Sequence, residues 1–131
     1  MKKMILLLGV SLSVGAVAAN EVFAGTKLFT NMTINTATRK AAGHVSDIRN
    51  SADTQQFLNV QVNYTNASSA LQASGRTSAG VTFLCTSSNA NIIKGAESID
   101  GDDHVEISWD ANGTCTQFAV RTSSAAAPKA P

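Results

Sequence analysis

The chain has 131 residues, with ten Lys and Arg against nine Asp and Glu, for a net charge of +1. Its basic residues are scattered, so it lacks the clustered Lys/Arg footprint that nucleic acid or an anionic membrane surface requires. From Gly25 onward eight basic and eight acidic side chains balance, and the remaining length, about 107 residues, suits one domain with a modest core.

The opening MKKMILLLGVSLSVGAVAANEVFAGT is written as a secretory signal peptide. Lys2 and Lys3 precede an apolar run, Met4 to Ala19, too short to span a bilayer, and small residues follow at signal-peptidase spacing. Val22-Phe23-Ala24 places the cut before Gly25. Val17-Ala18-Ala19 is the alternative, and the polar approach of Asn20 and Glu21 favours Ala24. The expected layout is a signal peptide over 1–24, one domain over 25–122 and a disordered tail over 123–131, where small residues and two prolines give no apolar period. The expected destination is the bacterial periplasm or the medium, with no membrane span in the mature chain.

Thr, Ser, Asn, Val and Ala dominate the mature sequence, which leans toward strands. In KLFTNMTINT, Leu28, Thr30, Met32 and Ile34 share one side. HVSDIRNS, with only Val45 and Ile48 as apolar markers, is a weak strand. QQFLNVQVNYTN is the clearest strand: Leu58, Val60, Val62 and Tyr64 alternate with Asn59, Gln61 and Asn63. ALQASGRTSAGVTFLCTS reads as two strands turning about GRTSAG, with Val81, Phe83 and Cys85 on one face. SSNANIIKGAESIDG is the helical exception. Asn89 caps it, Ile92, Ile93, Ala96 and Ile99 recur at helical spacing, and Gly101 stops it. Gly95 inside it weakens the signal.

The stretch SIDGDDHVEISWDANGTC looks chemical, with four acids and a histidine in its first nine positions, but it reads as half of a hairpin. Val105, Ile107 and Trp109 alternate with polar residues, and DANG supplies turn chemistry. On the return strand Thr116, Phe118 and Val120 share a parity that Cys115 lacks. A bulge after the turn, or a Cys115 facing the other layer, resolves the conflict. The fold class expected is all-β: a small antiparallel β-sandwich of about six or seven strands with one short helix and one disulfide. Trp109 is expected in its core.

Cys85 and Cys115 are the only cysteines. In an oxidising compartment they pair, closing a ring of about 30 residues worth roughly 3.5–4 kcal/mol of loop entropy. Two cysteines with no further cysteine or histidine at short spacing do not make a zinc site. The only metal candidates are Asp100, Asp102 and Asp103. Counted as a calcium loop from Asp100, the sixth position is Val105 and the twelfth Ala111, so the glycine and the bidentate acid are both missing. An acidic turn is the expectation, and no cofactor is implied. His44 and His104 are the only bases near neutral pH, and no GxSxG-type context surrounds any serine. A non-catalytic protein is expected.

Three segments carry a resemblance. SDIRNSADTQQFLNVQVN, ASGRTSAGVTFLCTSSN and ISWDANGTCTQFAV are similar, in this order, to a family of small secreted bacterial proteins without an assigned activity. That family shows an RNSAD strand, a C-x-A-R hairpin followed by a cysteine, and a WDxxGTC hairpin. The match runs from about Gly43 to Arg121 and rests on Arg49-Asn50-Ser51-Ala52-Asp53, Arg76, Gly80, Cys85, Trp109, Asp110, Gly113, Thr114 and Cys115. The family often has two more cysteines where this chain has Val60 and Ala73. The resemblance therefore implies that the strand over 56–64 pairs with the strand over 70–76, and that Cys85–Cys115 is the remaining staple. It carries over no activity.

RNSAD has two readings. In one it is a structural turn, with Asp53 or Asn50 capping backbone groups and Arg49 paired to a carboxylate. In the other, Arg49, Asn50 and Asp53 form a recognition loop for a polar ligand such as a glycan. The expected function is an exported, non-catalytic binding or surface-interaction module with an extracellular protein or glycan as partner and room for self-association. One alternative is a structural subunit of an extracellular filament or matrix, with Leu28 to Ile34 donated as a strand. Another is a secreted inhibitor of a hydrolase, with Arg76 in GRTSAG as the reactive element.

Overall fold

The computed structural model describes residues 30–123. The signal peptide, its cleavage at Ala24 or Ala19, and the tail from 124 onward lie outside the described residues. Seven strands and two helices follow in the order β1 (Thr33–Asn35), β2 (Lys40–His44), α1 (Val45–Asn50), β3 (Phe57–Tyr64), β4 (Ser69–Arg76), β5 (Thr82–Ser87), α2 (Ala90–Glu97), β6 (His104–Trp109) and β7 (Cys115–Arg121). They form two antiparallel sheets, a four-stranded one ordered β1-β2-β6-β7 and a three-stranded one ordered β3-β4-β5. This is the antiparallel sandwich expected. No described helix is long and apolar enough to cross a membrane.

Alternation decides the inner faces. In the three-stranded sheet, Leu58, Gly75 and Phe83 form one cross-strand row, Val60, Ala73 and Cys85 the next, and Val62, Leu71 and Ser87 the third. Val60 and Ala73 are direct partners, so the strand pairing expected from their positions holds. In the other sheet the inner rows are Ile34, Ala41, Ile107 and Phe118, and then Gly43, Val105 and Val120. Side chains of period two thus meet across the gap as one interior.

The closing hairpin settles the Cys115 parity. Ser108 faces Gln117, but Trp109 faces Cys115, so Thr116 is the extra residue of a bulge just after the turn. Asp110 organises that turn by accepting from the backbone N–H groups of Asn112 at 2.8 Å and Thr114 at 2.9 Å, while Gly113 takes positive φ. Cys115 is bonded to Cys85, which joins β7 to β5 across the two sheets. The Thr86 N–H donates to the Gly113 carbonyl at 3.0 Å alongside, and the Trp109 ring stacks on Phe83 at 5.0 Å. Trp109 packs half-buried against the core from this closed side.

Three local expectations are corrected. HVSDIRNS is not a strand: Val45–Asn50 is helix α1, so there are two helices rather than one. Val45 and Ile48 are three apart, which puts them on one face of a helix but on opposite faces of a strand. The strand β2 had no signal because its inner positions are Ala41 and Gly43, too small to mark a period. Finally, α2 ends at Glu97, not at Gly101, with Ser98 donating to the Gly95 carbonyl at 2.7 Å. Its start is as expected, with Asn89 Oδ1 accepting from Asn91 N–H at 2.9 Å and Ile92 N–H at 3.3 Å. The helix buries Ile93 and Ala96 and packs against β7, β3 and β4. A Cβ on Gly95 would sit 3.4 Å from the Phe118 carbonyl oxygen, so glycine lets the helix approach β7 closely.

Candidate functional site

The RNSAD stretch forms the end of α1 and the turn into β3. Asp53 shapes it: its Oδ1 accepts from Gln55 N–H at 2.8 Å and its Oδ2 from Gln56 N–H at 3.3 Å, while its own N–H donates to Ser51 Oγ at 3.1 Å. This is an Asx-type turn, in which a short carboxylate satisfies backbone donors that no ladder reaches. Gln56 then points inward. Its Oε1 accepts from Met32 N–H at 3.0 Å and its Nε2 donates to Asn31 Oδ1 at 3.1 Å, which fastens the turn to the start of β1. Asp53 is thus a capping residue, as the structural reading had it. The other half of that reading fails among the described residues: Arg49 is exposed and makes no ion pair there.

Around this turn lies an open pocket of about 280 Å³ lined by Val45, Ile48, Arg49, Asp53, Gln56, Phe57 and Leu58. Phe57 is 44% exposed at its rim. Arg76 lies across the strand pair from Phe57, and its Nη2 donates to Gln55 Oε1 at 3.0 Å. The corner therefore collects two guanidinium groups, an aromatic ring and an amide beside a carboxylate already engaged with backbone. Asn50 is exposed at the last position of α1. Arg49, Asn50 and Asp53 of RNSAD and Arg76 of GRTSAG, singled out from two segments of the sequence, fall in one region. Phe57 and Gln55 were missed. The signal for Phe57 was available, since it is the one large apolar residue on the polar parity of its strand.

A second groove of about 320 Å³ continues along β3, lined by Val45, Leu58, Asn59, Val60, Val62, Ala96 and Ile99. Val45 and Leu58 line both hollows.

The remaining candidates take structural places. Asp103 is buried, with Oδ2 accepting from Asp100 N–H at 2.7 Å and Oδ1 from Thr122 Oγ1 at 2.7 Å. It ties the end of the helix-to-strand turn to the exit of β7. Asp102 is exposed. Among the described residues, Asp100, Asp102 and Asp103 do not form a metal-holding group, nor do any other three His, Cys, Asp or Glu side chains. His104 turns to Glu106, at 3.5 Å, not to Asp103, and Arg121 reaches the same carboxylate at 3.4 Å.

A Ser, His and Asp do meet, but elsewhere. Ser46 Oγ lies 2.8 Å from His44 Nδ1, and Asp47 Oδ2 lies 3.6 Å from the same nitrogen. All three are at most 2% exposed. A nucleophile–base relay needs the serine and the carboxylate on opposite imidazole nitrogens and the serine open to substrate. Here both sit on Nδ1 in the interior, and Asp47 Oδ2 also accepts from Thr30 N–H at 2.8 Å. The cluster anchors the segment that leads into β1 to α1.

Compared with known proteins, the chain matches no protein-family model, no curated protein and no solved structure at a significant level.

Proposed function

We propose that the protein is an exported, non-catalytic binding module whose ligand surface is the corner between α1 and β3. The observation that supports this is the pairing of an exposed aromatic ring, Phe57, with the exposed guanidinium of Arg49, which has no ion pair among the described residues, at one open pocket. A sugar ring offers an apolar face to the first and hydroxyl or carboxylate oxygens to the second, with Arg76 and Gln55 extending the polar rim. The ligand class is a glycan. Export rests on the signal-like opening and agrees with the Cys85–Cys115 bond, since disulfides persist in oxidising compartments.

Among the alternatives, a filament subunit would need Leu28 to Ile34 free for donation. The described part of that stretch belongs to this chain's own sheet, with Met32 at 3% exposure. An inhibitor loop built on Arg76 would need that side chain presented outward, whereas it folds back onto Gln55 with Nε buried. Both observations favour the corner. The test is calorimetric titration with a panel of acidic and neutral oligosaccharides. At least one should bind, and Arg49→Ala and Phe57→Ala should each weaken it about tenfold or more. Absence of binding across the panel, or binding by both variants as tight as that of the unaltered chain, rules the corner out.

A further inference from the structure

Sheet edges attract other strands unless something protects them, and most edges here are protected. β1 is only three residues long, β5 is joined to β7 by the disulfide and the Thr86–Thr114 bridge, and β7 carries a bulge and lies under α2. β3 also packs against α1 and α2, but among the described residues it carries no disulfide, isolated bridge or bulge. It runs eight residues, pairs with β4 in an unbroken register from Phe57 to Tyr64, and contains no proline, glycine or charge. From Thr54 to Gly75 the chain has no charged residue at all. Among the described residues, no strand continues the sheet on the far side of β3 from β4. Inward charges, lysines, bulges and prolines are the usual means of keeping such an edge single. Their joint absence marks this edge as a pairing surface.

We propose that two copies of this chain associate through β3, edge to edge and antiparallel, with Gln61 on the two-fold axis. The sequence of the strand is complementary to itself in that register. Leu58 falls opposite Tyr64 of the second copy, Val60 opposite Val62, Asn59 opposite Asn63, and Gln61 opposite Gln61. Apolar residues meet apolar residues on the groove side, and amides meet amides on the outer side, where Gln61 and Asn63 already bond at 2.8 Å. A shift by one residue would put amides against the apolar row. Tyr64 has the groove-side parity yet is 63% exposed, the most exposed of the large apolar side chains. The pairing lays it over Leu58 of the other copy, at the point where the two hollows join, and the absence of charge removes any repulsion between identical edges. The result is a continuous six-stranded sheet. Symmetry makes the contact isologous, so it closes at two copies and does not propagate.

The test is sedimentation of the disulfide-intact exported chain over a concentration series, with three variants at two solvent-exposed positions. A dimer is expected at micromolar concentration. Gln61→Lys, which sets two ammonium groups face to face, should raise the dissociation constant about tenfold or more without changing the far-ultraviolet circular dichroism. Gln61→Cys should link the two copies on oxidation, through a disulfide between the two introduced thiols at the axis, whereas Asn59→Cys should not, because it faces Asn63. A chain that stays monomeric throughout, a dimer indifferent to Gln61→Lys, or one that links through Asn59→Cys rather than Gln61→Cys overturns the proposal. Glycan binding at the corner is read separately by titration, so the failure of either idea leaves the other standing.

Discussion

Met32 lies between the two sheets, against Gly43 of β2 and Gly75 of β4. It is buried beside two glycines: a Cβ on Gly43 would lie 3.3 Å from its sulfur, and a Cβ on Gly75 would lie 2.8 Å from its terminal methyl. Both positions are tight: the Gly43 Cβ would also meet Ile48 Cδ1 at 2.6 Å, and the Gly75 Cβ the Phe83 ring at 2.7 Å. Gly75→Ala should destabilise the fold by about 1–3 kcal/mol through overpacking, read as a lower urea midpoint at unchanged slope. The buried His44, Ser46 and Asp47 cluster behaves differently, because its loss strands polar atoms. Asp47→Ala removes the acceptor of the Thr30 N–H and the carboxylate beside His44. It should cost about 2–4 kcal/mol, measured by the same denaturation, and by protease sensitivity near Thr30. Neither Met32's role nor the cluster was legible in the sequence. Each depends on which residues from distant strands come to lie together, and glycines separated by 32 positions carry no local mark of a shared neighbour.

Elements were legible where the pattern is local. The β3 alternation, the turn chemistry of Asp110 to Gly113 and the Asn89 cap all act within a few residues, and the structure has each of them. The conflicting parity of Cys115 and Phe118 left a bulge as one of two readings, and the register has it. The failures share a cause. β2 buries Ala41 and Gly43, whose burial depends on large partners elsewhere, and α1 is a six-residue helix whose only periodic evidence is one i,i+3 pair. Short helices of this kind are stabilised by tertiary packing and not by propensity. For α2 the cap carries measurable weight: Asn89→Ala should lower stability by about 1 kcal/mol, because two backbone donors lose their acceptor. Hydrogen exchange at Asn91 and Ile92 should rise in the variant while the strands stay protected. The same distinction applies at the corner. Arg49, Asn50 and Asp53 stood out as a polar turn, but Phe57 joined them only through the β3–β4 register that sets it across from Arg76.

At the scale of the whole molecule, the sandwich is closed unevenly. On one side the disulfide, the Thr86–Gly113 hydrogen bond and the Phe83–Trp109 stack hold β5 to β7. On the other, β3 borders two hollows in which Leu58, Val60 and Val62 are only half-buried. On the proposed function, stability and binding fall to opposite sides. Replacing both cysteines by serine should cost about 3–4 kcal/mol, mainly through the entropy returned to the unfolded chain. Calorimetric melting would show it, and the double variant should retain glycan binding wherever it remains folded, because the corner is remote from the bond.

The central claim is that the corner of α1 and β3 holds a ligand, and residue-resolved titration tests it most directly. In nitrogen-15 correlation spectra of the labelled, disulfide-intact chain, an oligosaccharide that binds should shift the amides of Arg49, Asn50, Asp53, Gln55 and Phe57 and leave those of β6 and β7 in place. Shifts confined to other surfaces, or none with any member of the panel, would contradict it.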